Sequence, residues 1–217
     1  MVNVRGGIMK NMNNLLVTAA IFFVLFTGAA FGQKSEEELL KSAFTKSLVS
    51  NDLDGAIADC TAAINLDPNS AKAHFTRGAY RSQKGDLAGA VDDYSGAIKL
   101  DPTKANFFKA RADAHAALGN SKSALADYDT ALKLNPTDKF NDSVYLSRGR
   151  LRSSLKDYDG AIADYGKAIE SNPLYFAAFE RRAEAYRALG MTALAEADDK
   201  NAAEAKQKFL ELTYKPK

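Results

Sequence analysis

DLDGAIADCTAAINLDP (Asp52–Pro68) returns as DLAGAVDDYSGAIKLDP (Asp86–Pro102), then as NSKSALADYDTALKLNP (Asn120–Pro136) and DYDGAIADYGKAIESNP (Asp157–Pro173). The closing prolines Pro68, Pro102 and Pro136 recur at a constant period of 34, and Pro173 follows after 37. A degenerate copy starts near Met191. A fixed period of this size means that one supersecondary unit is stacked repeatedly, in place of one globular core.

Each unit holds two helical patterns. In the second unit AKAHFTRGAYRSQ is followed by Gly85-Asp86 and then by LAGAVDDYSGAIKL. Glycine after a helix suits the left-handed residue that ends it. Asp or Asn next is a good N-cap for the following helix. The prolines of Asp101-Pro102, Asn135-Pro136 and Asn172-Pro173 push the preceding residue out of helical geometry. The unit is helix, tight turn, helix, proline turn. The three extra residues before the fourth unit fall in TDKFNDS and predict a longer loop.

Small residues recur in register. Ala56, Ala90, Ala124, Ala161 and Ala195 open the second helices, and Ala63, Ala97, Ala131, Ala168 and Ala202 lie two turns later on nearly the same face. Small side chains there allow close helix approach. Gly78, Ala112, Gly149 and Ala183 do the same on the first helices. Tyr94, Tyr128 and Tyr165 should wedge against the next unit, and Cys60 occupies the same slot as a small buried hydrophobe.

Arg77, Arg111, Arg148 and Arg182 share one place on the first helices, and each precedes an aspartate (Asp93, Asp127, Asp164 and Asp198) by the same interval. The constant interval predicts an Arg–Asp pair tying the two helices of each unit, with an arginine ladder facing a ligand as the alternative. Exposed pairs of this kind contribute less than ~1 kcal/mol, so their expected role is helix registry. Asp59 extends the series, with Ala43 where an arginine would stand.

This pattern resembles the tetratricopeptide repeat, whose unit has Gly or Ala in the first helix, Ala opening the second, then an aromatic and a closing Pro. Units beginning near Ala71, Ala105 and Asp142 match well. The unit near Glu37 matches only in its second helix, and the one near Phe176 lacks the aromatic and the proline. The resemblance implies an all-α, right-handed superhelix (an α-solenoid) of about five stacked antiparallel helix pairs over residues 33–217. It closes on a long capping helix over about 192–213. Phe209, Leu210 and Tyr214 then fold back on the preceding helix, or dock a partner or a second copy of the chain.

The segment Met1–Gly32 is kept out of the fold. It carries Arg5 and Lys10 and no acid, then the apolar stretch Leu15–Phe26 and the small residues of TGAAFGQ. This is the pattern of an export signal peptide, with cleavage after Gly32 or Ala30. Extended to Phe31, the apolar run reaches the lower limit for a bilayer span, so a retained membrane anchor is the alternative. The reading places the chain outside the cytoplasm, periplasmic or secreted, or tethered by this segment.

Setting aside those two of the 29 basic residues leaves 27 to balance 27 acids. A nucleic-acid partner, which demands a cationic surplus, is therefore not expected. With one cysteine there is no intrachain disulfide. His74 and His115 lie in different units, and there is no C-x-x-C, H-E-x-x-H, Gly-rich phosphate loop or nucleophile elbow. The sequence predicts no catalytic residue, no metal site and no cofactor.

Binding is what a helical solenoid offers, on the concave face lined by the first helices. In the tetratricopeptide family that groove commonly holds an extended peptide or a partner helix. Carried over by register, the candidates are Lys72, Phe75, Lys109, Asp113, Leu146, Arg150, Glu180 and Glu184, with Lys41 and Thr45 in the first unit. Phe75 and Leu146 would serve as apolar anchors, and Lys109 and Arg150 would clamp a carboxylate or backbone carbonyls. Lys109 and Asp113 are also spaced to pair with each other along one helix. The function expected is a protein or peptide scaffold, with an accessory subunit or small-ligand binder as the further alternative.

Overall fold

The computed structural model describes residues 34–135 and 141–213. The expected signal segment, the centre of the expected longer loop and Tyr214 lie outside these residues. Ten helices and no strands occupy the described residues. They pair in chain order: α1 (Glu36–Ser50) with α2 (Leu53–Leu66), α3 (Ala71–Lys84) with α4 (Leu87–Leu100), α5 (Ala105–Ala117) with α6 (Ser121–Leu134), α7 (Asn141–Ser154) with α8 (Tyr158–Ser171), and α9 (Phe176–Ala188) with α10 (Thr192–Thr213). Each second helix also packs on the first helix of the next unit. Successive first helices touch one another, whereas successive second helices do not. The array therefore curves toward the first helices, which line its inner face.

The punctuation follows from local chemistry. Gly85, Gly119 and Gly190 adopt positive φ values of 91°, 79° and 74° behind α3, α5 and α9, a conformation that costs glycine little. The side chains of Asp52, Asp86 and Asp157 accept hydrogen bonds from the backbone N–H groups of Gly55, Gly89 and Gly160 at 2.8, 3.0 and 3.0 Å. Asn120 departs from the expectation: it stands at the N-cap of α6 but makes no capping bond.

The recurring alanines are buried throughout, most of them completely. Their closeness admits the tyrosine wedges. A Cβ added to Gly78 would lie 2.8 Å from the Tyr94 ring, and one added to Gly149 would lie 2.7 Å from the Tyr165 ring. Tyr94 packs with Ala114 of the next unit, and Tyr165 with Ala185. At the first junction the sizes are exchanged: the small residue, Cys60, is on the second helix, and the large one, Tyr80, comes from the next unit. Burial, with the Asp59 charge adding to it, pushes the Cys60 thiol up to about 12, so it stays protonated and unreactive.

The Arg–Asp pairs form as the spacing predicts. The Arg77, Arg111, Arg148 and Arg182 guanidinium groups grip Asp93, Asp127, Asp164 and Asp198 with two or three hydrogen bonds each, between 2.5 and 3.1 Å. Their expected role needs correction, because all four carboxylates are buried. A buried, doubly bonded carboxylate is costly to orphan, so these pairs govern stability as well as registry.

Two further features escape the sequence pattern. Arg81 and Arg152 add a second guanidinium to Asp93 and Asp164, each at 2.9 Å. Three of the four ladder arginines also reach back to the preceding unit. Arg77 donates to Thr61 at 3.3 Å, Arg111 to Ser95 at 3.0 Å and Arg148 to Asp129 at 2.5 Å. Each thus joins three helices from two units.

The first unit is offset. Its opening helix α1 holds 15 residues against 14 in α3. The interval from the N-cap Ser35 to the N-cap Ser70 is accordingly one longer than that from Asp52 to Asp86. Asn51 closes α1 at φ 50°. Asp59 consequently faces Lys46, at 2.8 Å, and not Ala43. Burial raises the Asp59 pKa, but hydrogen bonds from Lys46 and Ser42 outweigh it and leave the pKa lowered.

Candidate functional site

Because α1 carries one extra residue, Leu40 and Phe44 stand where Phe75 and Ala79 stand in the second unit. Phe44 is 60% exposed on the inner face. With Leu40, Thr45, Thr76 and Tyr80 it lines a depression of about 520 Å³ between α1 and α3, rimmed by Glu37, Lys41 and Lys72. The two threonine hydroxyls donate to carbonyls of their own helices, Thr45 to Lys41 at 3.0 Å and Thr76 to Lys72 at 2.7 Å. With their hydroxyls so engaged, this seat is apolar in character.

A second depression, of about 460 Å³, lies between the third and fourth units. It is polar, lined by Asp113, Tyr128, Ser147, Arg150 and Ser154, with Ala116 and Leu151. The Tyr128 hydroxyl donates to Asp113 at 2.5 Å, and Lys109 binds the other oxygen of the same carboxylate at 2.8 Å. Burial first, then the Asp113 charge, raises the Tyr128 pKa well above that of a free phenol. The phenol therefore remains a proton donor. Arg150 is exposed and forms no ion pair among the described residues.

The expected groove residues divide accordingly. Lys72 is exposed at the rim of the first seat, and Asp113 and Arg150 meet in the second beside Lys109. Glu180 and Glu184 are exposed at the far end, where Glu184 pairs with Arg181 at 2.9 Å. Phe75 and Leu146 sit deeper than free anchors would. Phe75 stacks on Phe107 at 4.7 Å and leans on Tyr94 at 5.6 Å, and Leu146 packs against the cluster of Ala161, Tyr165 and Ala185.

Phe44, Tyr80 and the hydroxyl of Tyr128 are groove features that register alone missed. The signal for Phe44 was present in Ser35-Glu36-Glu37-Glu38, a capping box that fixes the start of α1. Among the described residues no cluster of three or more His, Cys, Asp or Glu side chains is placed to hold a metal. No described helix is long and apolar enough to cross a membrane. At the C-terminal end Phe209 folds back toward Phe176, with ring centroids 6.3 Å apart, while Leu210 and Leu212 stay exposed.

Comparison with known proteins agrees with this architecture. The Tetratricopeptide repeat family matches residues 48–105, 105–138 and 142–173, together more than half of the chain. No curated protein matches it in sequence. Among solved structures, MamA is 24% identical with a TM-score of 0.70, covering 78% of this chain and 96% of its own. YrrB, described as a tetratricopeptide protein with an unusual peptide-binding site, is 21% identical with a TM-score of 0.65, covering 84% and 92%. PilF of Pseudomonas aeruginosa is 15% identical with a TM-score of 0.70, covering 78% and 76%. These likenesses share the fold. The chain belongs to the tetratricopeptide-repeat family.

Proposed function

We propose that this protein is an exported, non-catalytic adaptor that holds a peptide or partner helix against its first helices. One observation carries the reading. The residues that recur in register are spent chiefly on the scaffold, whereas the more exposed side chains of the two inner-face depressions do not recur: Phe44 and Lys72 in one, Asp113 and Arg150 in the other. A surface that varies from unit to unit on a repeating frame is what selective recognition requires. The peptide-binding site in the description of YrrB is compatible with this use of the fold.

Export rests on Arg5, Lys10, the apolar run and the small residues after it. A retained Leu15–Phe31 anchor would make the protein a membrane-tethered assembly scaffold. The mass of the mature chain separates the two. A chain beginning at Phe31 or Gln33 supports cleavage, and an intact N-terminus supports the tether.

The groove itself is tested by photo-crosslinkers placed at Phe44, Arg150 and Leu212 in the native cell. The proposal expects a shared adduct from Phe44 and Arg150. An adduct from Leu212 alone would move the interface to the C-terminal helix.

A further inference from the structure

The charges of the inner face do not cancel. Glu37 is held by Lys41 at 2.8 Å, and Asp113 by Lys109 at 2.8 Å and by the Tyr128 hydroxyl at 2.5 Å. At the far end Arg181 and Glu184 hold each other at 2.9 Å. Lys72 and Arg150 are exposed, and no described carboxylate lies within ion-pairing distance of either. Over the first four units the acids are thus consumed while two cations are left over. The next uncommitted charge along the face is Glu180, an acid.

The two seats differ in chemistry as well. The one between α1 and α3 offers an aromatic ring, an aliphatic side chain and threonines whose hydroxyls are already engaged. The one between α5 and α7 offers a guanidinium fork beside a hydroxyl network that is already internally bonded. A fork with no partner in such a place matches a carboxylate. The seats are two unit spacings apart, about 20 Å if neighbouring first helices lie about 10 Å apart. An extended chain covers that distance in about six residues.

Resting on the groove reading above, we propose that the occupant is an extended acidic peptide segment. Its large apolar side chain seats against Phe44 and Tyr80, and an Asp or Glu about six residues along binds Arg150. Lys72 favours a further acid beside the apolar side chain, and Glu180 disfavours acids beyond the Arg150 contact. A small carboxylate meets only half of this surface, because no single small molecule spans both seats.

The test uses the purified full-length protein and a bead-displayed library of end-blocked random decapeptides, so that terminal charges play no part. Retained beads are expected to be enriched several-fold in Asp or Glu about six positions from an aromatic or aliphatic residue. Arg150→Glu should reverse the preference at the acidic position toward Lys or Arg. Phe44→Ser should erase the apolar enrichment and leave the acidic one. Both side chains are exposed, so both variants should keep the parent melting temperature. Retention without acidic enrichment, or with an enrichment that Arg150→Glu leaves unchanged, overturns this assignment while the groove reading stands if Phe44→Ser still weakens retention. No retention, or retention that neither variant alters, overturns both.

Discussion

The exchange of sizes at the first junction makes a demanding prediction. Tyr80 is 9% exposed and Cys60 fully buried, and they belong to one cluster across the interface of α2 and α3. Truncating Tyr80 to Ala removes a buried ring and should cost about 3–5 kcal/mol, the usual range for large aromatic truncations. Enlarging Cys60 to Tyr with Tyr80 in place inserts a second ring into a filled site and should cost about 1–3 kcal/mol or more. Additive effects would take at least ~4 kcal/mol from the pair. The structure predicts otherwise. The double variant Cys60→Tyr/Tyr80→Ala approaches the arrangement of Tyr94 with Ala114 and of Tyr165 with Ala185, with Ala43 standing where those junctions have Gly78 and Gly149, as Ala112 does beside Tyr128. It should lie within about 2 kcal/mol of the parent, giving a favourable coupling of about 2–3 kcal/mol. Urea titration followed by far-ultraviolet circular dichroism measures all four corners of the cycle. The reverse exchange, Tyr94→Cys/Ala114→Tyr, should behave alike. Additivity within ~0.5 kcal/mol in both cycles would refute the claim that these junctions are one complementary pair written in two orientations.

Other expectations follow from buried charge and buried phenols. Asp164→Ala leaves Arg148 and Arg152 without their shared carboxylate and should cost about 3–5 kcal/mol, whereas Asp54→Ala, which breaks the exposed contact with Lys84, should stay within ~0.5 kcal/mol. Paired denaturation curves check this, and equal costs would contradict the buried-pair account. The Tyr94 and Tyr165 phenols are pushed up to about 12, chiefly by burial, from 10.0, and the Cys60 thiol to about 12 from 9.0. The folded state therefore holds these protons longer than the unfolded chain does. Their stabilisation is complete below the unfolded values, declines above about pH 9–10 and is lost as pH rises through about 12. Melting temperatures should fall from about pH 8 to about 12, and ionisation of Tyr94 or Tyr165 in the folded protein well below pH 12 would contradict the burial. Asp59 titrates in the opposite sense. Its lowered pKa contributes stability above its unfolded value of 3.8 that is lost as pH falls through the lower folded value. Lys46→Met should shrink this acid-side loss in the same melts.

The architecture was readable because a helix-ending turn, an N-capping Asp or Asn and a closing proline recur at fixed places in most units, and alanine or glycine marks the close approaches. The Arg–Asp pairing was readable from the constant interval between the two residues, yet its depth was not. Letters in register do not report exposure, and burial turns a surface contact into a stability determinant. The reach of Arg77, Arg111 and Arg148 into the preceding unit was hidden because its partners change type, from Thr61 to Ser95 to Asp129. The groove suffered most in the first unit. Alignment through its second helix carries the regular period into α1, which has one residue more, and that displaces Phe44 from view. Phe75 and Leu146 reveal the complementary limit: an apolar residue at a groove-facing register position is drawn inward when neighbouring units offer it an aromatic or alanine surface.

The claim at the centre of the account is that recurring residues build most of the frame and the exposed register-breaking residues of the inner face do the binding. The most direct measurement sets the affinity of Phe44→Ser/Arg150→Ala for the partner crosslinked at those positions beside the melting temperature of the same variant. The account predicts affinity reduced at least tenfold with melting unchanged to within a few degrees. Unchanged affinity, or a loss of affinity accompanied by an equal loss of folding, would contradict it.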